Sequence, residues 1–495
     1  MKKIYSNFVA GANTSLSPFL AADNNTFSQD GFVTSYKLGS ALKRLGYLRV
    51  GDVAQANKAI TGLFDFQQSP SVQKTLITMN DSTDDDTQLF YNNAGTWTEI
   101  AGAETAWANK ANINVEMESF IGYCFIVGYG ATDGYLPVGS LTGTTFSTVT
   151  NVTNMPGAKY IVRYRDRLYI GNTDIAGSAT PYRVYYSSIP SAGAITWTTA
   201  TDNFDVDLSD QITGMSTNWD LLIIFTKRRA YYYNQTAKKE LWKRGCDNHR
   251  TIKNSGGLMF FANRDGVWVS QNGGEPENIA GPVIDFIRNG DATTFFAEIV
   301  DEEYHLYVGD VTVNGVAYTN TDLIFNIPTT SWRWEEYAAD MSVFGLIDSS
   351  GDDRLYMGAS AGQVWDKSKY TDASPVYSDG KIGSTEGSDI LATMETRIDP
   401  LDDPDVLKKL VSVTVYADRA QQVKMQVKTF DNNTRGVSKY LPLGTLKGYV
   451  TKFEGLDLNF NLLQSQFSEF SKLPYFSIHA VEIEYVPIGI TLNDK

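Results

Sequence analysis

The chain of 495 residues has few of the residues that mark secreted proteins, metalloproteins and many enzymes. It contains two cysteines, Cys124 and Cys246, and three histidines, His249, His305 and His479, all far apart in sequence. A disulfide framework needs more cysteines, and a zinc site needs closely spaced ligands. We therefore expect no disulfides, no bound metal and no cofactor, and we interpret His305, which lies in an alternating apolar run, as a structural residue.

Long apolar runs and an excess of positive charge are also missing. No window of about 18 apolar residues occurs, and the first eight residues have two lysines without an apolar core. We expect a soluble chain without membrane insertion or secretion by the usual signal. The formal net charge of -15 argues against broad binding of nucleic-acid phosphates, although an acidic wall would let a DNA duplex slide past without sticking.

The strongest pattern in the sequence is a repeated short run of apolar and aromatic residues, which we call an apolar burst. Aromatic residues make up 13% of the chain, which suits half-buried strand surfaces. Seven bursts, each ending at a turn, recur at intervals of 37 to 53 residues, and one four-stranded propeller blade has about this length. The pattern predicts an all-β fold with a β-propeller of about seven blades, and the uneven spacing leaves six or eight open. The bursts begin at Leu76, Cys124, Leu168, Leu221, Leu258, His305 and Leu355.

Changes in composition divide the chain into four segments. Residues 1–58 lack the bursts and are rich in Ser, Asn, Gly and Ala, which predicts an extended N-terminal arm. Residues 59–372 form the predicted propeller, and residues 373–390, rich in Asp, Ser and Gly, are interpreted as a linker. Longer alternating strands in residues 391–495 predict a C-terminal β-sandwich.

Smaller features refine this picture. Trp97, Trp197 and Trp332 each follow a short turn, and we expect them to fill gaps between neighbouring blades. Residues 103–111 and 463–470 are the only segments that we interpret as short helices.

Two local patterns are compatible with catalysis, and neither has support beyond the pattern itself. The run Gly358-Ala359-Ser360-Ala361-Gly362 matches a nucleophile elbow, but the chain continues into another strand, which favours a hairpin turn. Glycosidase propellers need paired carboxylates, and the sequence gives no reason to bring any two of its candidates together. Those candidates are Asp205, Asp207, Asp210 and Glu335. We therefore expect no catalytic residues and a chain that is not an enzyme.

Charged clusters offer possible contact surfaces. Lys227, Arg228 and Arg229, with further lysines and Arg244 nearby, form the only concentrated positive charge, and Lys43 and Arg44 form a smaller cluster. These five residues are candidates for contact with a partner subunit or with DNA phosphates. The alternative is that the charges lie on a solvent-exposed edge strand and prevent aggregation. Acidic runs at residues 81–86 and 202–207 could chelate Ca²⁺, but neither has the EF-hand pattern, which favours solvated loops.

Several segments, read in order, resemble the tail-nozzle and packaged-DNA-stabilisation proteins of tailed bacteriophages. Near the amino terminus, the similar segments include the motif Gly-Ser-Ala-Leu-Lys-Arg-Leu-Gly-Tyr at residues 39–47. Further similar segments lie in the predicted propeller and at the start of the predicted sandwich, and together they cover most of the chain. These segments are residues 17–20, 23–25, 30–32, 39–47, 164–171, 183–187, 197, 212–214, 221–227, 245–246, 261–268 and 394–410.

The resemblance implies a non-enzymatic component of the virion tail or neck, assembled in the host bacterial cytoplasm. Proteins of this family form a ring, commonly of six copies, below the portal and adaptor, and they retain and then conduct the genome. The partners implied are copies of the chain, adaptor or portal-proximal proteins, other tail proteins, and DNA passing without sequence-specific binding. A glycan-binding adhesin or receptor-binding tail protein is the alternative from the aromatic content, and a glycosidase-like propeller is the third.

Overall fold

The computed structural model describes most of the chain as an all-β fold. The residues that it does not describe are 7, 9, 15–24, 31, 36–39, 81–85, 112, 350, 386, 402, 405, 419–422, 431–438, 448, 472–476 and 491–495. In the described part, β-strands dominate, and the helices are two short α-helices and two single 3-10 turns. No described helix has the length and apolar character needed to cross a membrane. The prediction of an all-β fold is confirmed.

Five short strands lie in the first fifty residues. They are β1 (Lys2–Tyr5), β2 (Thr26–Asp30), β3 (Phe32–Ser35), β4 (Ser40–Lys43) and β5 (Tyr47–Arg49).

Seven successive antiparallel groups of strands follow, which we call the first to seventh sheets. The first contains β6 (Ile60–Ser69), β7 (Val72–Asn80), β8 (Thr87–Asn93) and β9 (Thr96–Glu99), and the helix α1 (Ala103–Ala106) comes after it. The second contains β10 (Asn114–Phe120), β11 (Tyr123–Gly130), β12 (Gly134–Tyr135), β13 (Gly139–Thr142) and β14 (Thr145–Ser147). The third contains β15 (Gly157–Tyr164), β16 (Arg167–Ile175), β17 (Ser178–Tyr186) and β18 (Asn203–Asp205).

The remaining four sheets repeat this order. The fourth contains β19 (Ile212–Asn218), β20 (Leu221–Thr226), β21 (Ala230–Tyr233) and β22 (Lys238–Trp242). The fifth follows a 3-10 turn at His249–Thr251 and contains β23 (Lys253–Ser255), β24 (Leu258–Asn263), β25 (Gly266–Gln271) and β26 (Glu277–Asn278). After a 3-10 turn at Gly281–Val283 and the helix α2 (Ile284–Asn289), the sixth contains β27 (Phe296–Val300), β28 (Glu303–Val313), β29 (Val316–Asn326) and β30 (Ser331–Glu336). The seventh contains β31 (Met341–Asp348), β32 (Asp353–Ala359) and β33 (Val364–Lys367).

Eight further strands complete the chain. They are β34 (Ser378–Lys381), β35 (Ser388–Thr396), β36 (Val406–Asp418), β37 (Lys424–Phe430), β38 (Lys439–Thr445), β39 (Val450–Phe460), β40 (Leu462–Ser471) and β41 (Ser477–Ile490).

Each apolar burst is the second strand of one sheet. These strands read as continuous apolar runs because neighbouring sheets cover both of their faces. In β20, Leu222 and Ile224 pack toward the third sheet, whereas Ile223 and Phe225 pack toward the fifth.

Seven hydrophobic clusters join consecutive sheets, and the last cluster joins the seventh sheet to the first. In that last cluster Val343 and Val364 of the seventh sheet pack with Ile60 and Trp97 of the first. Ser342 adds a hydrogen bond, since its Oγ donates to the carbonyl of Ile60 at 2.7 Å. The sheets therefore close on themselves in a propeller-like arrangement.

The described part of the N-terminal segment, predicted as an extended arm over residues 1–58, pairs with distant strands of the same chain. β5 pairs with β33 and supplies the fourth strand of the seventh sheet, while β1 and β4 both pair with β41. Gly46 lies just before β5 at a point where a Cβ would come within 2.0 Å of the carbonyl oxygen of Ser378. These pairings could not be predicted, because they join residues that lie far apart in the chain and therefore leave no local sequence pattern. Residues 15–24 and 36–39 of the predicted arm lie outside the described residues.

The carboxy-terminal strands form two sheets around one core, which we call the two-sheet unit. One sheet has the order β3-β4-β41-β36-β39 with β1 also paired to β41, and the other contains β2, β35, β40, β37 and β38. Phe32 and Tyr5 from the amino end share this core with Met394 and Phe467. Residues 373–390, interpreted as a linker, include β34, which pairs with both β5 and β35. The two-sheet unit is thus joined to the seventh sheet by backbone hydrogen bonds.

The smaller predictions had mixed outcomes. Trp97, Trp197 and Trp332 are buried between neighbouring sheets, as expected, although Trp197 lies in the loop before β18. The helix predicted at residues 103–111 is present as α1, but residues 463–470 form β40 instead of a helix. Ser360 to Gly362 form the turn between β32 and β33, so the hairpin interpretation is confirmed.

Candidate functional site

The outer part of the fourth sheet carries a dense group of cations, which we call the basic surface. It holds one carboxylate, Glu240, and seven cations: Lys227, Arg228, Arg229, Lys238, Lys239, Lys243 and Arg244. Gly245 brings its two segments together, because a Cβ there would lie 2.2 Å from the carbonyl oxygen of Thr226. Only glycine allows this approach, so the turn after β20 lies beside the segment after β22.

Three of these cations have partners within the chain. Nη1 of Arg229 lies 2.6 Å from Oε2 of Glu240. Nζ of Lys238 donates to the backbone carbonyl of Asp205 at 2.8 Å, and the guanidinium of Arg244 lies 4.8 Å from the ring centre of Trp268. These contacts fix the positions of the cations around them.

The other four cations are uncompensated. Lys227, Arg228, Lys239 and Lys243 are exposed, and their side chains make no ion pair or hydrogen bond with any residue that the structure describes. Lys159, on the adjoining third sheet, has a pKa lowered by burial and then by the charge of Lys227. The predicted residues Lys227, Arg228 and Arg229 therefore do lie together on an exposed surface, one that retains positive charge within an acidic chain.

Lys43 and Arg44 are not on a surface, which corrects their prediction as partner or DNA contacts. Lys43 is fully buried, with Nζ 2.5 Å from Oε2 of Glu469. Arg44 is 3% exposed and binds both carboxylate oxygens of Asp379, at 2.7 and 2.6 Å. Both cations instead join the amino-terminal strands to distant parts of the chain.

A cleft of about 700 Å³ beside Arg44 is lined by two carboxylates, Glu303 and Glu335, that are both paired with cations. Both oxygens of Glu303 contact the guanidinium of Arg333, at 2.5 and 2.7 Å, and Nζ of Lys367 lies 2.7 Å from Oε2 of Glu335. Burial alone would raise the pKa of both carboxyls, but these cations lower it to about 2. Both groups are therefore ionised at neutral pH, and neither can donate the proton that glycoside hydrolysis needs from a general acid.

The other candidate carboxylates are held apart from this cleft. Asp205 pairs with Arg183 at 2.5 Å, and Asp207 accepts hydrogen bonds from Ser209 and from the hydroxyl of Tyr231, which lower its pKa to about 2. Within the described part of the chain, no contact joins Asp205, Asp207 or Asp210 to Glu335.

The axis of the seven sheets holds a cavity of about 300 Å³ crossed by charged side chains. Arg250 extends from the 3-10 turn to the backbone carbonyl of Thr61, and its Nε lies 3.5 Å from Oε1 of Glu116. Nζ of Lys253 lies 2.8 Å from Oε2 of Glu298. Because Arg250 crosses this space, the residues that line it leave no opening as wide as a DNA duplex along the axis of one chain.

Glu118, between the second and third sheets, is a partly exposed carboxyl whose pKa is raised by desolvation to about 7. Its Oε2 accepts a hydrogen bond from the backbone N–H of Arg163 at 3.1 Å. The unfolded chain has the ordinary value near 4.5, so the folded state holds the proton more tightly between these values. We expect the free energy of unfolding to fall as pH rises from 4.5 to 7, by at most about 3 kcal/mol from this group, and then to level off.

Urea unfolding of the wild-type chain and of Glu118→Gln, at pH 5 and pH 8, measures this contribution. The glutamine variant cannot ionise, so its stability should change less between the two pH values than that of the wild type. Equal changes in both proteins would show that Glu118 does not carry the effect.

Metal-binding groups are not assembled in the described residues. No set of three or more His, Cys, Asp or Glu side chains there is placed to hold a metal ion. His305 is buried, with Nδ1 2.7 Å from Oδ2 of Asp322, in keeping with a structural role. Cys124 and Cys246 are both buried free thiols. The acidic run at residues 81–85 lies outside the described residues.

No protein-family model and no curated protein matches the chain. Among solved structures it is similar to the AfRom2 CNH domain, at 8% sequence identity and a TM-score of 0.40, covering 67% of this chain and 100% of that one. It is also similar to PorZ, a bacterial surface component of the type-IX secretion system of Porphyromonas gingivalis. That likeness has 10% identity and a TM-score of 0.39, and it covers 76% of this chain and 45% of PorZ. At these values neither likeness bears on what the chain does.

Proposed function

We propose that this chain is a structural virion protein of a tailed bacteriophage, a nozzle or neck component that forms a ring with copies of itself. The ring is expected to be hexameric, to lie below the portal and adaptor, and to retain the genome and conduct it during ejection. The segments that resemble tail-nozzle and packaged-DNA-stabilisation proteins support this proposal, because they follow the family order along most of the chain.

The finer description of the fold belongs to the same proposal. The seven sheets are the blades of a seven-bladed β-propeller, and the two-sheet unit is the β-sandwich of that family. Seven hydrophobic clusters between consecutive sheets support this count, since one cluster joins each neighbouring pair.

The observation that carries the proposal is the basic surface on an otherwise acidic chain. Four exposed cations have no partner within the described residues, which suits contact with an anionic macromolecule such as an acidic face of a neighbouring subunit or DNA phosphate. The small axial cavity adds a constraint. Because DNA cannot pass through one chain, the conduit lies between several copies.

The other two functions have weaker support. A glycosidase needs a carboxylic acid that is protonated at working pH, and the two carboxylates that line the cleft beside Arg44, Glu303 and Glu335, have a pKa of about 2. The glycan-binding alternative rested on aromatic side chains as stacking platforms. Eight of the nine tryptophans are buried, and the ninth, Trp219, is half-buried and packs in the cluster between the fourth and fifth sheets.

Negative-stain electron microscopy of the purified chain, together with sedimentation velocity, tests the proposal. We expect a uniform ring with a central hole. A chain that stays monomeric across protein concentrations, salt concentrations and the presence of DNA would contradict the proposed function. Saturable binding to a glycan array by the monomer would instead favour the adhesin.

A further inference from the structure

The sheet of the two-sheet unit that contains β41 has three edge strands within the described residues, β39 on one side and both β1 and β3 on the other. Its central order is β1-β41-β36-β39, and each of these strands is antiparallel to its neighbour. β39 pairs only with β36, and β1 pairs only with β41. A free edge offers a row of backbone N–H and C=O groups to another strand.

The backbone groups at the β39 edge can be assigned from its register. The N–H of Ala417 donates to the carbonyl of Tyr449 at 2.9 Å, so this pair is hydrogen-bonded. Hydrogen-bonded and non-hydrogen-bonded pairs alternate along antiparallel strands. The next residue, Val450, lies opposite Tyr416, and Lys452 and Glu454 follow at two-residue steps. The backbone groups of these three residues therefore point away from β36.

The same reasoning applies at the β1 edge. The amino group of Met1 donates to the carbonyl of Tyr485 at 2.7 Å, and the N–H of Tyr485 donates to the carbonyl of Met1 at 3.0 Å. The alternation then directs the backbone groups of Lys2 and Ile4 away from β41.

The side chains at both edges lie on the same outer face and include exposed apolar groups. Val450 is 55% exposed, and Ile4 at the opposite edge is 53% exposed. Ile4 lies opposite Glu482, and Val450 lies opposite Tyr416, on the face away from the core. Elsewhere in this unit, the outer strand β38 carries Pro442, which limits strand addition.

We propose that the β39 edge of one copy pairs with the β1 edge of the next copy, so that this sheet continues around the ring. The inference rests on the proposed ring. Neighbouring strands alternate in direction across β1-β41-β36-β39, so β1 of the next copy runs antiparallel to β39 when it is added at that edge. The outer face of the added β1 then lies on the same side of the sheet as the outer face of β39. The two edges differ, so the contact is heterologous, and such a contact repeated with rotation closes a ring. A register that sets Glu454 against Lys2 of the next copy places Ile4 of that copy beside Lys452 and Val450.

A proline on the free edge tests the pairing. The N–H of Lys452 points away from β36, so Lys452→Pro leaves the internal ladder intact but blocks an added strand. We expect loss of the ring species in sedimentation velocity at a concentration where the wild type is fully assembled, with an unchanged circular dichroism spectrum. Lys452→Thr keeps the N–H and should assemble as the wild type does.

A cross-link tests the same contact without depending on the proline variant. Within one copy, Ile4 and Lys452 are separated by three strand spacings, about 14 Å, which a disulfide cannot span. The natural cysteines are both buried. Under mild oxidation, Ile4→Cys/Lys452→Cys should therefore form a covalent ladder of oligomers, whereas either single variant should give nothing larger than a dimer.

The outcomes separate this inference from the proposed function. Rings that persist in Lys452→Pro, with no ladder from the double cysteine variant, would overturn the edge contact and leave the ring proposal standing. A wild-type chain that forms no ring would overturn both.

Discussion

Replacement of Arg44 by alanine is expected to lower the free energy of unfolding at the junction between the seventh sheet and the two-sheet unit by about 3–5 kcal/mol. Arg44 is buried and binds both oxygens of Asp379, which is itself only 4% exposed. Its Nη2 also donates to the carbonyl of Glu336 at 2.8 Å. Removing the guanidinium leaves the Asp379 carboxylate buried without its cation, and native-state hydrogen exchange in β34 and β5 measures the loss.

Two further variants define the cause. Arg229→Ala breaks an exposed pair with Glu240 and should leave the free energy of unfolding nearly unchanged. The double variant Arg44→Met/Asp379→Leu removes both charges and should recover part of the loss, because an apolar pair needs no compensation for buried charge. If Arg44→Ala cost no more than Arg229→Ala, the buried pair would not be what holds the junction.

The arrangement of Lys43 and Arg44 shows what could not be predicted from the sequence. Two adjacent basic residues in a polar segment are typical of an exposed cluster, and nothing nearby indicates otherwise. Their partners lie 426 and 335 residues away, at Glu469 and Asp379. A contact at that separation leaves no periodic pattern, so only the assembled fold can assign these cations to the interior.

The second strands of the seven sheets show what could be predicted. Their bursts are visible because two neighbouring sheets bury both faces, which requires apolar residues in unbroken runs. The outer strands carry no such requirement. β5 has three residues, and its role in the seventh sheet is set by a partner strand more than 300 residues later.

The segment that forms β40 shows how a local pattern can mislead. Leu463, Phe467 and Phe470 are spaced by four and three residues, and the segment is rich in Leu, Gln and Glu, which favours a helix. In the structure Leu463 and Phe467 both face the shared core with buried Ser465 between them, the two-residue period of a strand. Pairing with β35 and β37 on either side outweighs the helical preference.

The candidate contact surfaces divide in the same way. The cations at Lys227, Arg228 and Arg229 could be identified because their exposure follows from a turn between two apolar strands. The free edges of β1 and β39 could not, since a strand at an edge and a strand inside a sheet read alike. Both strands lie at an edge because the first five residues of the chain pair with β41 and not with β39.

Tyr47→Ala is expected to have the other large effect, a loss of about 3–5 kcal/mol in the stability of the seventh sheet. Tyr47 is 1% exposed, and its ring packs edge-on against Trp365 and Tyr337, with centroids 5.2 and 5.8 Å away. It is also the residue at which β5 meets β33, opposite Lys367. Truncation leaves a cavity and loosens the strand that completes the sheet, and hydrogen exchange of the β32 and β33 amides reports both.

Tyr47→Phe separates packing from hydrogen bonding. It keeps the ring and removes only the hydroxyl that accepts a hydrogen bond from the N–H of Ala339 at 3.2 Å, so we expect a loss of about 0.5–1.5 kcal/mol. Faster exchange confined to the seventh sheet in Tyr47→Ala would mean that β5 closes this sheet after the rest has formed. Exchange that rises equally in all seven sheets would mean that the closure stabilises the whole arrangement at once. Exchange that stays unchanged in every sheet would contradict the role of β5, because the loss of a strand that completes the seventh sheet must expose amides of that sheet.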